Sequence, residues 1–61
     1  MNKSIKNAYE IIDEIDSGAD YNTVLMLCVL HFPGIDWENR PEGVTLRAIL
    51  CDEIEFLSNQ E

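Results

Sequence analysis

Seven consecutive apolar residues, Val24-Leu25-Met26-Leu27-Cys28-Val29-Leu30, run through the middle of a chain of only 61. A segment that is apolar on every side wants cover on every side. A domain of this length buries only about 60% of the surface its unfolded form exposes. Either this segment lies at the centre of the fold, or part of it stays uncovered and offers an apolar patch to another surface. Periodicity does not separate a buried helix from a buried strand in such a run. Three Leu and one Met favour helix, whereas two Val and Thr23 mildly favour strand. A strand covered on both faces needs layers that this chain cannot supply. A helix over about 21–31 is therefore expected, with Asp20 or Asn22 as its N-cap.

The flanking segments carry clearer patterns. Ile5, Ala8, Tyr9, Ile12 and Ile15 recur at steps of three and four, which places them on one face of a helix over about 4–17. Ser4 can cap its start, and Gly18 stands where a helix usually terminates. Pro33-Gly34 breaks the chain, and residues 35–40 form a connector around Trp37. Arg40 precedes Pro41 and is biased away from helical geometry. A last helix starts at Pro41 or Thr45 and ends near Ser58, with Leu46, Ile49, Leu50, Ile54 and Leu57 on one face. Val44, Leu46, Ala48 and Leu50 also alternate, so a short strand over 44–50 is the competing assignment. The expected fold is all-α, a single three-helix domain over 1–61, with dimerisation as one way to cover the middle helix.

Charge narrows the class of partner. Twelve Asp and Glu stand against Lys3, Lys6, Arg40 and Arg47, for a formal charge of −8. Direct nucleic-acid binding requires a basic footprint, which is missing. Anionic membrane surfaces are disfavoured for the same reason. The apolar run is far shorter than the ~20 residues that span a bilayer. The first residues, Met1-Asn2-Lys3-Ser4, lead into an amphipathic pattern rather than a signal-peptide apolar run. Two cysteines, Cys28 and Cys51, are too few for a secreted disulfide framework. A cytoplasmic protein with a basic protein partner is the expectation.

The order of charges along the helices goes against their dipoles. A helix favours acids at its N-terminus and bases at its C-terminus. In the first helix Lys3 and Lys6 lie at the start, while Asp13, Glu14 and Asp16 crowd the end. The last helix repeats this more weakly with Asp52, Glu53 and Glu55. Features that cost folding energy are where function tends to show. Glu10, Asp13, Glu14, Asp16 and Asp20, with the three acids of the last helix, are the candidate contacts for a basic surface. The competing role for them is a solvated face that maintains solubility. Leu27 and Leu30 are the candidate apolar contacts, and Trp37 is either a binding anchor or a lid on one end of the core, with the lid favoured.

Reactive constellations do not emerge. Cys28 and His31 stand one turn apart, and Cys51 or Asp52 could join them, yet the paired spacing of a zinc finger is missing. Nothing marks a base and an orienting group for a Cys–His nucleophile. Carboxylate pairs on surface helices lack the enclosed cleft that glycosidase or protease chemistry needs. Gly18, Gly34 and Gly43 are isolated turn residues, not a phosphate-cradling loop. No catalytic residue, metal site or cofactor is expected.

In size and charge the chain is similar to the small acidic proteins by which bacteriophages and mobile elements block host nucleic-acid-binding proteins. That likeness implies an inhibitor or modulator of a basic partner, with DNA mimicry as its extreme form. Duplex DNA carries one charge per ~1.7 Å of axis, more than this chain presents, so local charge complementarity is the better expectation. The alternative function is a structural homo-oligomer or adaptor packed through the apolar helix 21–31, a homodimer in its simplest form.

Overall fold

Three helices account for the ordered architecture, and each begins at a side-chain cap. In the computed structural model, which describes residues 2–60, α1 spans Lys3–Asp16, α2 spans Tyr21–His31 and α3 spans Leu46–Ser58. Strands are absent among the described residues, so the competing assignment over 44–50 does not hold. The reason is local. Thr45 takes an extended conformation and its Oγ1 accepts the Ala48 N–H at 3.1 Å, which starts a helix there and turns Leu46 and Leu50 to the same side. Pro41 lies outside the helix. Replacing Thr45 with alanine should cost about 1 kcal/mol. That corresponds to a fall of roughly 4–8 °C in Tm, read by far-UV circular dichroism.

The first helix starts one residue earlier than its pattern suggests. Asn2, not Ser4, is the N-cap, and its Oδ1 accepts the Ser4 N–H at 2.7 Å. At the other end Gly18 N–H reaches the Ile15 carbonyl and Ala19 N–H reaches the Glu14 carbonyl, the paired bonds of a Schellman termination. Gly18 provides the left-handed conformation this needs, at φ 92°. The turn delivers the chain directly to Asp20, whose carboxylate accepts from Thr23 N–H at 3.3 Å and Thr23 Oγ1–H at 2.6 Å and so opens α2. Helix α2 stops at His31 because Phe32 precedes Pro33 and leaves the helical region, at φ −133° and ψ 63°.

The packing order decides between the two placements open to the apolar run. The central helix is α1, which packs against both α2 and α3. Its buried side chains are Ile5, Ala8, Ile11 and Ile12, with Ile15 partly covered. Tyr9, expected on that face, is half exposed, and Ile11 takes the inward position instead. From α2 only Val24 and Cys28 are fully buried, and from α3 Leu46 and Leu50. The apolar run is therefore peripheral and covered on one side.

Trp37 and Phe32 close the end of this core. Trp37 is 2% exposed and lies edge-on to Phe32, with ring centroids 6.4 Å apart. Its Nε1–H donates to the Phe32 carbonyl at 3.0 Å, and the Ile35 N–H reaches the same oxygen at 3.2 Å. Both bonds satisfy groups that burial would otherwise leave unpaired. Arg40 holds the connector down. Its Nε donates to the Val44 carbonyl at 3.0 Å, one guanidinium nitrogen donates to the Trp37 carbonyl, and the other donates to Tyr21 Oη at 3.1 Å.

Candidate functional site

The outward side of α2 is the largest departure from ordinary burial. With Val24 and Cys28 facing α1, the 100° step per residue turns Met26, Val29 and Leu30 toward solvent. Met26 is 72% exposed, Leu30 71% and Val29 48%, whereas Leu25 and Leu27 are partly covered at the flanks. Between Tyr21 and Leu30 this helix carries no charged residue. Single exposed apolar side chains are ordinary, but three on one turn-to-turn face form a patch.

A groove between α1 and α2 adjoins that patch. Glu10, Asp13 and Glu14 line it from α1, and Leu27 and His31 line it from α2. Leu27 also lines the apolar face together with Met26 and Leu30, so the acidic groove and the apolar patch are continuous at this residue. Glu38, from the connector, borders the apolar face as well. The structure thus brings Glu10, Asp13, Glu14, Leu27 and Leu30 onto one surface.

The other acidic residues have different placements. Asp16, the last residue of α1, pairs with Arg47 in the first turn of α3, with Oδ1 3.1 Å from Nε and Oδ2 3.3 Å from the terminal nitrogen. Each of these charges opposes the dipole of its own helix, and together they neutralise one another. The pair is about half exposed, so its geometry matters more than its contribution to stability. The hydrogen bond from Arg47 holds the Asp16 carboxyl pKa below the ordinary aspartate value, with desolvation opposing it and the charge of Arg47 adding to it. Asp20 is the α2 cap, and its hydrogen bonds from Thr23 lower its pKa in the same way. Asp36 is engaged by Asn39, whose side chain and backbone N–H lower the carboxyl pKa in a tight turn. On α3, Asp52 and Glu55 are exposed and Glu53 is partly covered; none of them lines the α1–α2 groove.

Trp37 offers no surface to a partner in this arrangement, because it belongs to the core. Sequence reasoning missed Met26 and Val29 as surface residues. Their spacing to Leu30 was visible, but which side of an all-apolar helix is covered follows only from its neighbours. Cys28 is a free buried thiol, and burial raises its pKa, partly offset by the charge of Arg40. Cys51 is free and exposed, with an Arg47 nitrogen 3.8 Å from its sulfur. No group of three or more His, Cys, Asp or Glu among the described residues is placed to hold a metal ion. No described helix is long and apolar enough to cross a membrane. Comparison with family models, with curated proteins and with solved structures gives no match to this chain.

Proposed function

We propose that this protein is a non-catalytic interaction module that holds a basic protein partner and inhibits or modulates it. The observation that carries this reading is the uncovered face of α2, which meets the groove lined by Glu10, Asp13 and Glu14 at Leu27. A stable protein contact combines a desolvated apolar centre with a polar rim, and both kinds of surface meet at Leu27. The net charge of −8 steers a basic partner toward it and disfavours anionic ones. The partner class includes proteins that themselves bind nucleic acid, since their surfaces are basic. Size and charge suit an inhibitor of phage or mobile-element type acting in the cytoplasm, by local complementarity rather than full DNA mimicry.

Changing Glu10, Asp13 and Glu14 to lysine together tests the proposal. Asp16 is left intact because it anchors Arg47. In affinity capture from a nuclease-treated lysate of the source organism, the wild-type chain should retain a stoichiometric basic protein that rising salt releases. The triple variant, with unchanged helicity, should retain none. Undiminished capture by the folded variant would sink the reading.

A second reading rests on the same exposed residues: a homo-oligomer in which two copies bury Met26 and Leu30 against each other. It ranks lower because two copies, each with a net charge of −8, repel one another as they approach.

A further inference from the structure

We infer that the occupant of the α2 face is an amphipathic helix of the basic partner, its apolar stripe on Met26, Leu27 and Leu30 and its cations over Glu10 and Glu14. This rests on the interaction-module reading and specifies what that surface takes.

The form of the surface sets the form of the occupant. From Thr23 to Leu30 the apolar face extends about 10 Å, or two helical turns. Its residues recur at the three- and four-residue steps that an incoming helix matches with anchors at i, i+3, i+4 and i+7. Two turns of partner helix can therefore cover Met26 and Leu30 while reaching the groove on the Leu27 side.

Charge decides between occupants. The carboxylates of Glu10, Asp13 and Glu14 lie along one flank and Glu38 borders the face, so the covering element must bring cations beside its apolar stripe. A second copy of this chain cannot do so with its own α2, which has no charged residue between Tyr21 and Leu30. Of the four Lys and Arg, Arg40 is engaged by Trp37, Val44 and Tyr21, and Arg47 by Asp16. Lys3 and Lys6 stand on α1, and neither lines the groove or the apolar face. An unstructured basic tail supplies charge but no stripe for Met26 and Leu30.

Two synthetic peptides of about 16 residues, long enough to reach helical form on binding, separate these cases. Both contain the same leucines and lysines. One has leucine at helical i, i+3, i+4 and i+7 steps, and the other has the order scrambled. Titration calorimetry on the full chain should show the striped peptide binding at least about tenfold more tightly than the scramble. The double variant Met26→Gln, Leu30→Gln should lose about tenfold for the striped peptide only. Glu10→Gln with Glu14→Gln should weaken both peptides and flatten the salt dependence. All four positions allow folding to be checked by circular dichroism in the same samples. Equal binding of stripe and scramble overturns the helix-docking inference and leaves the basic-partner reading standing. No binding of either peptide at low salt overturns both. A doubled mass in sedimentation, lost in Met26→Gln, Leu30→Gln, assigns the face to a second copy and overturns the inference.

Discussion

Trp37→Ala is expected to remove a large share of the folding free energy of this small domain. A domain of this length has a total stability of roughly 3–9 kcal/mol. Truncating a buried Trp to Ala costs about 3–5 kcal/mol. Here the loss includes the edge-to-face contact with Phe32 and one of the two hydrogen bonds to the Phe32 carbonyl. The same residue also sets the carbonyl to which Arg40 donates, so the clamp between the connector and Tyr21 weakens with it. Urea titration followed by far-UV circular dichroism measures the effect, since the chain has one Trp and its fluorescence disappears with it. Trp37→Phe retains a ring but no N–H donor, and should cost less, roughly 1–2 kcal/mol. A Trp37→Ala midpoint equal to that of the wild type would mean that the connector does not close the core.

The second large effect is a split in thiol reactivity. Cys51 is exposed and should react with an aromatic disulfide reagent at the rate of a free surface thiol. Cys28 is fully buried between α2 and the rest of the core, and its thiol pKa is raised by that burial. It can react only when the structure opens. For a stability of roughly 3–9 kcal/mol, full opening limits its rate to between about a hundredth and a millionth of the exposed one. Because α2 is covered on one side only, local opening of this helix should place the ratio toward the hundredfold end. Stopped-flow labelling of the wild type, with Cys51→Ser to assign the phases, gives the ratio directly. Two fast phases of equal rate would contradict the burial of Cys28. The rate for Cys28 also reports how firmly the helix that bears the exposed face is held.

Much of the local structure follows from short-range chemistry in the sequence. Three helices, their approximate bounds, the turn at Gly18 and the break at Pro33-Gly34 are legible because apolar spacing, caps and breakers act over a few residues. Even so, two local details were decided by which cap forms. Asn2 rather than Ser4 caps α1, and Thr45 rather than Pro41 marks the start of α3. In each case the start is fixed by the side-chain bond that forms, from Ser4 N–H to Asn2 Oδ1 and from Ala48 N–H to Thr45 Oγ1.

The acidic residues illustrate the boundary between the two levels. Their number, and their reversed order along α1, are properties of the sequence. That Asp16 is matched by Arg47, 31 residues away, is not, because the pairing depends on how α3 crosses α1. Asp20 is the opposite case, a cap legible in the sequence and made by Thr23 three residues on, whereas Glu10, Asp13 and Glu14 are gathered along one groove by the packing of α2.

What the sequence by itself determined is the all-α class, the acidic surface and the presence of one helix with no polar side. Those follow from composition and from patterns that repeat within two or three turns. Which helix became central was settled only by tertiary structure. Helix α1 has the sharply divided faces, with Ile5, Ala8, Ile11 and Ile12 inward, and it lies between the other two, although α2 is the more apolar. The physical reason is geometric. A third helix can share a core with the other two while presenting only one stripe, and the side it leaves outside is fixed by its rotation against α1. That rotation buries Val24 and Cys28 and leaves Met26 and Leu30 in solvent beside a row of carboxylates.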